Sequence, residues 1–277
     1  TLPGVGDSVA KAWLAALKTS VRRDLISVLP YGSPSSIWLK DAAPNELKFY
    51  QSQSLSRGTE FFGRSVASVD TYPGQPKANI PRDVQVSYTL TRKRIFALAT
   101  VLPQETLLSY RLGIAGLTNP ELNRSDSLEL AATYSPQFAA FENKLRLIVG
   151  KYRVTSEREK IPVTLVNDFD VVLKIKLVVT PLNGKVIATS LPDLTLAPNS
   201  KLQVAIPIRV MASGSTILLT QIKSEKGILL KEPVQLPLTL SVISPITTWF
   251  TTGSAIILLL AGVVQSVRRI KRKRVQL

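Results

Sequence analysis

No charged residue occurs between Pro233 and Val267, and the run ends in Arg268-Arg269-Ile270-Lys271-Arg272-Lys273-Arg274, six cations in seven residues. Few folds accommodate such a pairing. Within it, Ile246 to Val264 reads ITTWFTTGSAIILLLAGVV. At ~1.5 Å per residue this stretch of helix would cover roughly 28 Å, against a hydrocarbon core of ~30 Å. The competing reading is a buried helix or a last strand with a basic tail. A core helix is usually shorter and does not stop at a dense cation cluster. The expectation is therefore one C-terminal transmembrane helix. Trp249 would be its interfacial anchor, since amphipathic rings favour the headgroup level. Arg268, Arg269, Lys271, Arg272, Lys273 and Arg274 would orient it, because cations near a span stay in the cytoplasm. The expected localisation is a cell membrane, crossed once, with the N-terminal bulk extracytoplasmic and the C-terminus cytoplasmic.

The 277 residues carry 35 Lys and Arg against 19 Asp and Glu, a formal charge of +16. Setting aside the six tail cations leaves 29 − 19 = +10. That excess suits a lipid bilayer with anionic headgroups or acidic wall polymers. Nucleic acid is not expected, because the remaining cations are scattered, with Arg92-Lys93-Arg94 the densest group. Cysteine and histidine are both absent. Disulfides, thiolate or imidazole metal sites, and Ser-His-Asp or Cys-His catalysis are excluded for this chain alone. No cofactor is expected. The chain opens Thr1-Leu2-Pro3-Gly4 without a signal peptide pattern, and the expectation is a fragment of something longer.

From Lys144 to Ile243 the pattern is that of short strands. Val171 to Thr180 reads VVLKIKLVVT, with Lys174 and Lys176 on one face and Leu173, Ile175 and Leu177 on the other. Leu202 to Ile206 alternates, and Ile161 to Val166 precedes Asn167-Asp168. Asn183-Gly184 between apolar runs predicts a hairpin. About seven strands at turn spacings of 8–12 residues predict an Ig-like antiparallel β-sandwich. Leu165, Leu173 and Val204 are its expected core.

Before that, a helix is predicted from Asp7 or Ser8 to Ser20, with Val9, Ala12, Trp13, Ala16 and Leu17 on one face. Leu25–Leu29 reads as a strand, Asn45–Leu55 as a second helix ending near Gly58, and Ser135–Leu147 contains a third. Val84–Leu90 and Ile95–Val101 read as strands. This alternation predicts a partial, barrel-like α/β segment. Sites in such folds lie at the carboxyl ends of strands. The loop after Leu29 offers Tyr31, Ser33, Ser35 and Ser36, while Asp41 and Asp70 stand as lone carboxylates. Glycoside hydrolysis needs two carboxylates at a set separation, and none can be paired here. Asn123-Arg124-Ser125 fits a glycosylation sequon. No catalytic, cofactor-binding or metal residue is assigned.

Three features together resemble a known family: Ile161–Asp168, the turn Ala197-Pro198-Asn199-Ser200, and an apolar segment closing on Arg268-Arg269-Ile270-Lys271-Arg272. The chain resembles uncharacterised actinobacterial membrane proteins often encoded near the lipid II flippase of peptidoglycan synthesis. The resemblance implies a large extracytoplasmic region, a β-sandwich and one C-terminal membrane helix. Leu29-Pro30-Tyr31-Gly32-Ser33-Pro34 is similar to a proline-tyrosine motif in the barrel-like region of those proteins. That motif usually carries aspartates, where this chain has Ser33 and Ser35. No established activity comes with the resemblance.

The expected organisation is α+β and multidomain. Residues 1–143 form the C-terminal part of a mixed α/β domain, 144–244 the β-sandwich, 245–267 the transmembrane helix and 268–277 a basic cytoplasmic tail. The expected function is a membrane-anchored, non-enzymatic envelope scaffold or binding protein. Its expected partners are acidic wall polymers or cell-wall synthesis proteins. The alternatives are a carbohydrate-active hydrolase or deacetylase with catalytic residues upstream of this chain, and an anchored receptor or adhesin.

Overall fold

The structure is a computed structural model that describes residues 5–76, 80–241 and 254–265. The chain divides into two compact units, Thr1–Lys144 and Leu145–Leu277.

The first unit runs α1 (Val5–Ser20), β1 (Ser27–Val28), α2 (Ser36–Ala42), α3 (Pro44–Phe62), β2 (Ala67–Ser68), α4 (Arg82–Leu98), α5 (Gln104–Gly113), a 3-10 turn (Ile114–Thr118) and α6 (Arg124–Glu142). Among its described residues the regular structure is helical except for two strands of two residues each, which pair in parallel. The expected α/β barrel-like segment is thus corrected. Val84–Leu90 and Ile95–Val101 do not form strands, and both fall in α4 or the turn after it. The reason is visible in burial: Val84, Tyr88, Thr91, Ile95 and Leu98 are buried at spacings of four, three, four and three. That is the period of one helix face. Pro81 precedes the first helical residue, and Asp83 suits the dipole of its first turn.

The helix beginning near Asn45 runs on through Gly58 to Phe62 and stops at Gly63, φ 67°. A Cβ on Gly58 would meet Val28 Cγ1 and Val66 Cγ2 at 3.1 Å each. Gly58 therefore lets α3 lie close against the strand pair instead of ending the helix. Asn123 accepts from the Asp126 N–H and caps α6. The sequon residue is thus used as an N-cap. In α1, Val9 and Trp13 remain exposed, while Leu17 of the same apolar stripe is half-buried.

The second unit runs β3 (Leu145–Ile148), β4 (Tyr152–Val154), β5 (Arg158–Asn167), β6 (Leu173–Pro181), β7 (Val186–Ala188), β8 (Leu191–Leu196), β9 (Ser200–Val210), β10 (Gly214–Ser224) and β11 (Val234–Leu240). It makes a five-stranded sheet in the order β4-β11-β10-β6-β8 and a four-stranded sheet in the order β3-β5-β9-β7. Alternation sets each inner face. In β6, Leu173, Ile175, Leu177 and Val179 are buried while Lys174 is exposed. Leu165 and Leu173 are fully buried, and Val204 is half-buried.

Two details of the expected antiparallel sandwich change. β4 joins β11 in parallel. Asn183-Gly184 makes a turn but no hairpin: β6 pairs with β8 and β10, and β7 pairs with β9 in the other sheet. The Asn183 carboxamide explains the crossing, accepting from Thr216 Oγ1 at 2.9 Å and from the Lys185 N–H at 3.2 Å. The turn is pinned to β10 rather than closing on itself.

The C-terminal transmembrane helix is also corrected. Among the described residues no helix is long and apolar enough to cross a membrane. The described helical residues there are 254–265, twelve residues that cover about 18 Å at ~1.5 Å each. The single-pass localisation built on that span falls with it. Trp249 and the cations Arg268, Arg269, Lys271, Arg272, Lys273 and Arg274 lie outside the described residues.

Candidate functional site

The parallel pair aligns Ser27 with Ala67 and Val28 with Ser68. Both chains leave it in the same direction, which brings the serine loop beside Asp70. Ser36 Oγ donates to the Asp70 main-chain oxygen at 2.7 Å. Ser35 Oγ accepts from the Trp38 N–H and caps α2. Asp70 accepts from Gln51 Nε2 and pairs with Lys40 Nζ at 2.7 Å. The hydrogen bond from Lys40 holds its carboxyl below the usual carboxylate range. Tyr72 donates to Glu121, and that bond pushes the phenol up. A recess of about 190 Å³ opens here, lined by Ser35, Ser36, Thr71, Tyr72 and Gln75 among others. Asp41 is exposed in the last turn of α2 and does not line it. The serines and Asp70 do come together, but their polar atoms are committed to capping and pairing.

A second recess, of about 390 Å³, uses the other part of the same loop. Tyr31, Arg57, Ser109, Gly113 and Tyr134 line it. Arg57 comes from α3, Ser109 from α5 and Tyr134 from α6, so the sequence alone marks only Tyr31. No local pattern could have found the others, because they converge only through helix packing.

The core of the helical unit holds a polar network. Glu46 is fully buried, and Arg111 clamps it through two bonds, Nε to Oε2 at 2.9 Å and Nη2 to Oε1 at 2.6 Å. The guanidinium carbon sits 3.5 Å from the Phe49 ring centroid. Tyr50 and Tyr88 share a hydroxyl–hydroxyl bond of 3.2 Å. Burial raises the Tyr50 phenol and pushes Tyr88 up to about 12. A phenol raised in the folded state adds stability that is fully present below the unfolded value near 10 and is lost as pH climbs through the folded value. The alkaline loss of stability from Tyr88 is therefore expected to begin above about pH 10 and to be complete around pH 12, with Tyr50 adding to it at higher pH. Tyr88→Phe should flatten that limb of a denaturation-versus-pH series; an unchanged limb would refute the assignment to Tyr88.

The outward face of the four-stranded sheet is basic. Arg158, Lys160 and Thr164 of β5 alternate with buried Ile161, Val163 and Leu165. Lys201, Gln203 and Arg209 of β9 share that face, with Arg146 and Ile148 of β3. Arg158 stands directly opposite Arg209. Arg146, Val166 and Lys201 form one row across three strands. Eight residues separate the Lys201 and Arg209 rows, about 27 Å at ~3.4 Å per residue. Cations thus gather at both ends of a middle made of Thr164, Gln203 and Ala205. Arg146 pairs with Asp168, and Arg209 with Glu157 at 3.1 Å. Arg158, Lys160 and Lys201 have no ion-pair partner among the described residues. A recess of about 460 Å³ sits at one end, walled by Arg158, Lys160, Thr189, Pro207 and Arg209 together with one carboxylate, Glu159, among others.

A family model described as a family of unknown function, DUF6049, matches residues 129–274. The chain belongs to this family. The DUF6049 match begins inside α6 and takes in the nine described strands of the second unit. The basic face lies wholly within it. So do Ile161–Asp168 and Ala197–Ser200, which the structure joins through Asn167. This side chain is fully buried at the end of β5. Its Nδ2 donates to the carbonyls of Val171 at 2.9 Å and Ala197 at 2.8 Å, and its Oδ1 accepts from the Phe169 N–H at 3.0 Å. The two DUF6049 segments meet because one carboxamide ties the four-stranded sheet to the strand end of the other.

Among curated proteins no match is found. Among solved structures, α2-macroglobulin from Escherichia coli, from its MG7 domain to the C-terminus, is 16% identical. The match covers 35% of this chain and 16% of that one, with a TM-score of 0.28. WR4, a C. elegans MSP family member, is 7% identical over 35% of this chain and 97% of that one, with a TM-score of 0.27. The PapD-like domain 7 of human CEP192 is 12% identical over 36% and 85%, with a TM-score of 0.28. Likeness this slight carries nothing further.

Proposed function

We propose that this DUF6049 protein is a non-enzymatic binding or scaffold protein whose four-stranded sheet holds an extended acidic polymer. The observation that carries the reading is the outward face of β5 and β9, with Arg158 opposite Arg209 and cations at both ends. Like charges in direct cross-strand register are destabilising. An anion laid across them offsets that repulsion and fits the two unpaired charges of Arg158 and Lys160. The spacing favours a polymer over a single small anion, because one chain can reach both ends and gain from the linkage. Acidic polymers of a cell wall have the required form. The actinobacterial kinship and the gene position near a lipid II flippase, implied by the sequence resemblance, belong with this reading.

The test uses the whole chain and polygalacturonate as probe. Binding should weaken steadily as salt rises, because exposed charge contacts are screened beyond ~8 Å at physiological ionic strength. Arg158→Glu with Arg209→Glu should lower affinity about tenfold or more, since each exposed charge contact is worth about 0.2–1 kcal/mol and reversal roughly doubles the change. Lys201→Glu should add to the loss for long polymers and leave short ones nearly unchanged. Lys174→Glu, on the five-stranded sheet, should do neither. Equal loss from Lys174→Glu, shortening of the polymer by the protein, or tighter binding to duplex DNA at equal charge would overturn the proposal.

A further inference from the structure

The recess built by Tyr31, Arg57, Ser109 and Tyr134 lies in the helical unit and stands independently of the basic sheet. Its walls are held in place by close backbone approaches. A Cβ on Gly113 would lie 2.1 Å from Tyr134 Cε1. The Tyr134 ring thus occupies the space that any larger residue at 113 would fill, and its position is fixed by that seat. Gly32, at φ +79°, carries the loop that presents Tyr31. A Cβ there would stand 2.9 Å from both Ala115 Cβ and the Gly116 nitrogen. The loop therefore presses directly on the 3-10 turn, and both tyrosines are half-buried with part of each ring open.

Into this frame α3 extends one cation. The Arg57 guanidinium carbon lies 4.8 Å from the Tyr31 ring centroid, a cation–π arrangement that restricts where its fork can point. Arg57 is exposed and has no ion-pair partner among the described residues. Ser109 adds an exposed hydroxyl that can donate or accept. The volume, about 390 Å³, suits one small ring. We propose that this recess binds a single acidic pyranose, a hexuronate unit. The C–H faces of a sugar ring are weakly positive and pack against the negative faces of tyrosine rings. The carboxylate takes the guanidinium fork through two parallel bonds, and a ring hydroxyl reaches Ser109. A neutral sugar leaves the fork idle, and a simple carboxylate leaves the tyrosine faces uncovered.

The test titrates the whole chain with glucuronate, glucose and N-acetylglycine, reading amide NMR shifts at Gly32, Gly113 and Gly116. These amides separate the recess from any binding at the basic sheet. Glucuronate should shift all three and bind about tenfold more tightly than glucose, the worth of one charge-assisted contact. N-acetylglycine should leave the amides in place. Arg57→Gln, a change at an exposed position, should erase the preference for glucuronate over glucose, and Arg57→Lys should restore only part of it. Gly113→Ala should displace Tyr134 and weaken both sugars. Equal binding of glucose and glucuronate would overturn the proposal. So would N-acetylglycine binding as well as glucuronate, an unchanged preference in Arg57→Gln, or no shift at the three amides.

Discussion

Arg111→Ala is expected to destabilise the helical unit by about 3–5 kcal/mol, the cost of leaving a buried carboxylate without its partner. Glu46 is fully buried, and both its oxygens are held by Arg111. Removing the guanidinium strands the negative charge beside Tyr50 and Tyr88. It also removes the cation from the Phe49 face, so packing is lost together with charge. Against a typical domain stability of about 5–15 kcal/mol, such a loss lowers the urea midpoint steeply or unfolds the unit outright. The double variant Glu46→Leu with Arg111→Leu should recover most of the loss, since apolar replacement of a buried pair is often neutral. Urea unfolding followed by helical circular dichroism gives the comparison. A single variant costing under about 1 kcal/mol would place the pair with ordinary surface ion pairs.

Asn167→Leu should cost the β unit about 3 kcal/mol, because each buried polar group left unpaired costs about 1–3 kcal/mol. The Phe169 N–H and the Leu196 carbonyl sit in buried surroundings around this side chain. Leucine has similar bulk but offers them nothing. Asn167→Asp keeps the shape and should be as harmful near neutral pH, where a carboxylate would face the carbonyls of Val171, Leu196 and Ala197. Its cost should shrink as pH falls, because a protonated carboxyl regains one donor. Equal stability of Asn167→Asp and wild type at neutral pH would show that the carboxamide donor is not needed.

Legibility in this sequence follows the range of the interactions concerned. The alternation in Val171–Thr180 is local, and β6 forms there with its lysines outward and its leucines buried. The fully buried Leu165 and Leu173 follow from the same two-residue period. Val84–Leu90 alternates over seven residues, and only the longer span to Leu98 reveals the helical period of α4. The Asn183-Gly184 dipeptide signals a turn, while the way that turn is anchored depends on Thr216, 33 residues away. Glu46 and Arg111 are 65 residues apart. The second recess likewise draws on three helices, and nothing near Arg57 or Tyr134 marks them. Hydropathy over Ile246–Val264 measures composition and not helix length, and among the described residues the helix there covers 254–265.

The parallel pairing of β4 with β11 bears on how the β unit would carry mechanical load. Leu238 faces Tyr152, Thr239 faces Arg153 and Leu240 faces Val154. Both strands point the same way, so a pull toward the N-terminal side of β4 and the C-terminal side of β11 runs along them in opposite senses. The ladder bonds joining them lie across that axis and are strained together, in shear, rather than opened one by one as in a peeled hairpin. β11 is also flanked on its other edge by β10, with Gly214–Thr220 paired to Val234–Leu240. A tether attached after β11 would therefore draw on a strand gripped from both sides, and rupture would require several bonds to fail at once.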